Sequence, residues 1–179
     1  MAGERERCTL PYLLAQPLGR TELLLGKYLG LALALVAALA FGFGAVGLAL
    51  AQAQIDPAVY AALAGLALLL GLATLSLGML VSVLARRTAV ALGMVLFIWF
   101  GLILLADLGL MGTAVALRLR ADAIFFLALV NPLQVFKLAA VLAIRPNLEV
   151  LGPAGLYGMA SFGTRLGPLL VGLLLAWAA

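Results

Sequence analysis

From Tyr28 to Leu50 the chain runs 23 residues without a charged side chain, and from Ala58 to Leu84 it runs another 27. At 1.5 Å per helical residue, 23 residues reach about 34 Å, more than the roughly 30 Å hydrocarbon layer of a bilayer. Composition agrees: 66% of the residues are hydrophobic and 10% are charged, against about 45–50% and about 25% in a soluble domain. So few charges cannot cover a water-soluble body of 179 residues, and lipid must replace water around much of it. The sequence specifies an all-α integral membrane protein, a polytopic helix bundle.

Residues 51–57 form a turn containing Asp56 and Pro57, and Arg86 and Arg87 stop the second apolar run. A third run, 89–106, ends at Asp107. Beyond it, Arg118, Arg120 and Asp122 make a polar stretch, and two apolar pieces, 124–130 and 133–144, meet at Asn131-Pro132. Each piece is too short to cross a bilayer. They form either a re-entrant outer hairpin or one helix kinked at Pro132. The hairpin is preferred, because a single helix would put Lys137 near mid-membrane at about 2.5–3.5 kcal/mol. Residues 145–165 are expected to be a loop punctuated by glycine and proline. Residues 166–179 are apolar but reach only about 21 Å, the start of a last span. The expected organisation is thus a cytoplasmic segment (1–27), three transmembrane helices (28–106), an outer polar loop with the hairpin (107–165), and the start of a final helix (166–179), in a chain truncated at both ends.

The net charge is +4, from 11 lysines and arginines against 7 acids. The basic residues lie in short clusters between apolar runs, which speaks for membrane orientation and against nucleic acid. With the N-terminus cytoplasmic, the inner segments hold Arg5, Arg7, Arg20, Lys27, Arg86 and Arg87 in far fewer residues than carry the five outer cations, so the N-terminal segment is placed inside. With one cysteine, Cys8, no disulfide forms within the chain, and with no histidine the commonest general base and metal ligand is missing. Thr74, Ser76 and Ser82 have no lysine or histidine near them in the spans, so they are expected to hydrogen-bond between helices. Met79, Met94, Met111 and Met159 are too scattered for a soft-metal site. No phosphate-binding glycine loop occurs, so no catalytic, metal or cofactor site is expected in this chain. The small residues Gly42, Gly44 and Gly47 either pack helices within one subunit or form a translocation seam between two.

The richest stretch is 4–27. It combines alternating charges, a short amphipathic helix that Thr9 could cap, a break at Pro17, and a second helix, capped by Thr21, that enters the membrane. An interfacial helix and a docking element are both open to such a stretch. Glu4-Arg5-Glu6-Arg7, Thr9-Leu10, Leu13 to Leu18, Arg20-Thr21-Glu22 and Gly26-Lys27 together resemble the cytoplasmic loop of ABC type-2 transporter permeases. The resemblance implies a coupling helix that touches a separate ATPase subunit. It assigns ATPase coupling to Glu4, Arg5, Glu6, Arg7, Thr9, Leu10, Leu14, Gln16, Pro17, Arg20, Thr21 and Glu22. The chain departs from the family at Cys8, where glycine is usual, and at Pro11, where an acid is usual. The rest of the layout fits the third to the start of the sixth of six spans. Within the family, Asn131 to Leu138, with Asn131, Pro132 and Lys137, is similar to an outer motif of the permeases that serve nitrous oxide reductase maturation. That implies a homodimeric permease of the bacterial cytoplasmic membrane, with a cytoplasmic ATPase partner and a periplasmic maturation partner, supporting copper-centre assembly. A drug or lipid exporter of the same family, and a membrane scaffold that transports nothing, are the alternatives.

Overall fold

The computed structural model describes residues 2–9, 19–50, 56–104, 121–144 and 152–179. Leu10, Leu14, Gln16, Pro17, Asp107 and Met111, and the polar stretch around Arg118 and Arg120, lie outside the described residues. Among the described residues all regular structure is helical: α1 (Ala2–Glu6), α2 (Arg20–Leu50), α3 (Pro57–Leu84), α4 (Thr88–Leu104), α5 (Ala121–Leu129), α6 (Pro132–Ile144), α7 (Gly152–Phe162) and α8 (Leu166–Ala178). Among the described residues, three stretches are long and apolar enough to cross a membrane, namely α2, α3 and the joined Gly155–Ala178, and α4 is a shorter apolar helix of 17 residues.

Local chemistry explains most of the helix ends. Asp56 caps α3 by accepting from the Ala58 amide at 2.9 Å, and Pro57 takes the first helical position, where a missing N–H costs nothing. The start of α2 differs from expectation. Its cap is Gly19, whose carbonyl accepts from the Leu23 amide, while Glu22 reaches back to the Gly19 amide at 2.8 Å. Thr21 already lies inside the first turn, so Glu22 supplies half of a capping box and no threonine cap forms.

The chain bends by 108° between α5 and α6, so the two short helices form a broken span or a re-entrant loop and not one straight helix. Asn131 makes the turn. Its carbonyl accepts from the Val135 amide, its Oδ1 accepts from the Leu133 amide at 3.0 Å, and Pro132 opens α6. The side-chain amide then donates to the Leu102 carbonyl of α4 at 2.8 Å.

Residues 152–162 form a helix, where a loop was expected. Tertiary packing overrides the poor propensity of its glycines and proline. Tyr157 and Phe162 pack around the fully buried Phe125 of α5, with ring centroids 5.8 and 5.7 Å away. Gly158 faces the same ring so closely that an added Cβ would lie 2.5 Å from Phe125 Cε2. A 3-10 turn, Gly163–Arg165, with Gly163 at φ +48°, joins α7 to α8. Leu166–Ala178, which looked too short to cross, therefore belongs to the 24-residue stretch Gly155–Ala178.

α3 is the hub, touching α2, α4, α6 and α8. The core lies on one side of it: Leu166, Leu170 and Leu174, one turn apart on α8, are fully buried with Val135, Leu138 and Ala139 of α6 and Leu66 of α3. α2 buries none of its apolar window, and α4 buries only Ala91. Of the glycines singled out in α2, Gly47 packs on Tyr60 of α3, where an added Cβ would lie 3.3 Å from the ring, whereas Gly42 and Gly44 have nothing within 4 Å. Gly158→Ala should therefore lower stability by about 1–3 kcal/mol through overpacking, while Gly42→Ala should leave it unchanged or slightly raised. Unfolding in mixed micelles of both variants checks this; equal effects would contradict the packing.

Candidate functional site

α4 begins badly if judged from its own sequence. Arg87 accepts the first intrahelical bond, from the Ala91 amide at 3.0 Å, and so holds the cap position with a side chain that has no acceptor. Arg86 and Arg87 also place two cations at the positive end of the helix dipole. The missing acceptor comes from α1. Glu6 Oε2 accepts from the Thr88 amide at 3.0 Å, and the Thr88 hydroxyl bonds the same carboxylate.

The residue before it serves the other side of the turn. Arg5 Nη1 donates to the Ala85 carbonyl at 3.4 Å, just past the C-terminus of α3, where a cation suits the dipole. The adjacent Arg5 and Glu6 thus attend to the helix ends that flank the α3–α4 turn, each with the favourable charge. Two further contacts seat α1. The Ala2 amide donates to Ser82 Oγ at 3.2 Å, and Ala2 is buried against Ala85 and Ala91. Glu4 forms an ion pair with Lys27 of α2. Five residues of helix are thereby fastened to α2, α3 and α4 at the basic end of the bundle.

α1 ends in a Schellman turn: the Cys8 amide bonds the Arg5 carbonyl at 3.2 Å, and the Thr9 amide bonds the Glu4 carbonyl at 3.0 Å. The turn requires a left-handed residue, and Cys8 supplies it at φ +54°.

Hydrogen bonds to Thr88, hydroxyl then amide, with Arg87 and Arg7 nearby, hold the Glu6 carboxyl below its ordinary value of 4.5 against a smaller desolvation effect. A second polar node lies deeper. The Tyr28 hydroxyl and Ser76 Oγ both donate to the Ala178 carbonyl, at 2.9 and 2.8 Å, tying α2 and α3 to the C-terminus of α8. Ser76 and Ser82 bond between elements as expected, whereas Thr74 bonds the Gly71 carbonyl of its own helix. A groove of about 630 Å³ runs between α2 and α3, lined by Lys27, Leu35, Thr74, Met79 and Ser82 among others. No group of His, Cys, Asp or Glu able to hold a metal occurs among the described residues.

Of the residues assigned to coupling, Glu4, Arg5 and Glu6 therefore converge on one clamp. Arg7 and Thr9 are exposed at the end of α1, and Arg20, Thr21 and Glu22 form the exposed first turn of α2. Leu10, Leu14, Gln16 and Pro17 lie outside the described residues. At the bend between α5 and α6, Asn131 and Pro132 are buried, and Lys137 of α6 is half-buried. Sequence reasoning missed Lys27 and Thr88 as partners. The one available signal was the double arginine before Thr88, a helix start with no acceptor of its own.

The chain matches the model of the family described as "ABC-2 family transporter protein" over residues 1–179. It is 37% identical over 146 residues to the "Probable ABC transporter permease protein NosY" of Pseudomonas aeruginosa, an alignment covering 77% of this chain and 53% of that one. The chain thus spans about half the length of the curated relative it matches.

Two predictions follow from the clamp. A non-glycine residue in the left-handed region costs on the order of 1 kcal/mol, so Cys8→Gly should stabilise the Schellman turn by about that amount, read as a higher unfolding midpoint; a lower midpoint would contradict the turn. For Glu6 the carboxylate is the bound form, and its folded pKa is depressed. Its stabilisation is therefore complete above the ordinary value of 4.5 and is lost as pH falls through the lower folded value. Hydrogen exchange in the first turn of α4 should separate Glu6→Gln from the unmodified chain at neutral pH and bring them together in acid; a gap independent of pH would refute it.

Proposed function

The chain belongs to the ABC-2 family of transporter membrane proteins, and on that premise we propose that it serves as the permease subunit of an exporter, driven by ATP hydrolysis on a separate subunit. Residues 4–22 receive the motion of that ATPase at the cytoplasmic face. A second copy completes the pathway, and the membrane is the bacterial cytoplasmic membrane, with the N-terminal segment inside. The observation that carries this reading is the clamp: the segment that resembles a coupling loop is bonded at its start to three helices at once, through Glu4–Lys27, Arg5–Ala85 and Glu6–Thr88. A push on it is delivered to all three.

The finer assignment, support of copper-centre assembly in nitrous oxide reductase with a periplasmic partner, rests on the similarity to NosY and on the Asn131–Leu138 motif. A drug or lipid exporter of the same family would share the clamp but has no claim on that motif.

Glu6→Ala and Arg20→Ala, each in the complex with the ATPase subunit in lipid nanodiscs, should lower permease-dependent ATP hydrolysis on the order of five-fold, the lower range of measured site-to-site couplings. Unchanged hydrolysis in both variants would overturn the coupling role of this segment.

A further inference from the structure

α4, like α2, buries little of its surface. Its sides are largely bare: Ala91 alone is buried, and Leu92, Phe97, Trp99 and Phe100 are exposed. It is fixed instead near its two ends, each time by a polar side chain from another element. Glu6 of α1 holds the Thr88 amide at 3.0 Å, and Asn131, at the turn of the outer hairpin, holds the Leu102 carbonyl at 2.8 Å. The two points are 14 residues apart, about 21 Å along the helix.

We infer that α4 is a lever pinned at both ends, carrying movement of the N-terminal segment to the outer hairpin, with Glu6 and Asn131 as its positioning residues. The inference rests on the permease reading above and adds where the motion goes. A helix fastened near both ends by side chains of other elements passes a displacement from one end to the other. The core helices α6 and α8 pack against each other and against α3 through buried stripes and suit a fixed frame. At the outer pin, Asn131 also caps α6 and sets the bend, so a pull on the Leu102 carbonyl acts at the turn on which the hairpin pivots.

The test places a nitroxide at position 130 through Val130→Cys in a Cys8→Ser background, in the permease–ATPase complex in nanodiscs. Val130 is 66% exposed and adjoins Asn131. ATP should change the spectrum of the label. Glu6→Ala and Asn131→Ser should each shrink that change on the order of five-fold. Serine keeps an acceptor to cap α6 but is too short to reach Leu102, so the hairpin itself is retained.

A structural role is separated by Glu6→Ala combined with Arg87→Asp, which gives α4 a cap of its own. Amide protection over the first turn of α4 should return while the spectral response to ATP stays small. Recovery of the response in that double variant, or a full response in both single variants, overturns the lever. ATP hydrolysis with no spectral change in the unmodified complex also overturns it and leaves the permease reading standing. A complex in which the permease neither binds nor stimulates the ATPase sinks both.

Discussion

A helix leaves four amides and four carbonyls without partners at its ends, and lipid cannot satisfy them. In this chain several of those groups are served by side chains from elsewhere in the fold. Glu6 serves the amide end of α4, Asn131 caps α6 and also bonds the Leu102 carbonyl of α4, and Tyr28 and Ser76 bond the Ala178 carbonyl of α8. Satisfying the backbone and assembling the bundle are therefore one process. The bonds also fix which elements lie side by side, because each acceptor or donor has one place to go.

Between helices in lipid there is little hydrophobic driving force, since the acyl chains are as apolar as leucine. Close approach and shape take its place. Gly71 lets Leu35 of α2 come within 3.0 Å of where its Cβ would stand, and Gly158 admits the ring of Phe125. The buried leucines of α8 sit against α3 and α6 in the one well-packed region. Among the described residues, the buried packing of the bundle is concentrated on one side of α3, and α2 and α4 leave most of their apolar surface exposed.

The basic end shows how charge serves geometry as well as orientation. Arginines that would disfavour the start of α4 are tolerated because Glu6 sits among them, and Arg5 meets the opposite end of the neighbouring helix. Cys8 bears on the same segment. The Schellman turn that ends α1 needs a left-handed residue, and this chain adopts the conformation with a side chain that resists it.

Most of the spans were legible because their signal is local. A charge-free run of 23 to 27 residues has one low-energy form in a bilayer, and Asp56-Pro57 and Asn131-Pro132 mark helix starts by short-range chemistry alone. The cap at Gly19 was missed because two local solutions compete there, Thr21 and Glu22, and the longer glutamate side chain reaches back. The helix at 152–162 was missed because its own residues argue against it, and only the Phe125 ring across the bundle justifies it. The clamp was half legible. Alternating charges marked residues 4–7 as important, but nothing nearby in sequence says that Glu6 meets Thr88, 82 residues on. By itself the sequence determined the membrane class, the two long spans of its first half, the break at Asn131 and the family. Only the tertiary structure decided which side chains complete which helix ends, because those bonds join residues whose separation along the chain carries no periodic or compositional trace.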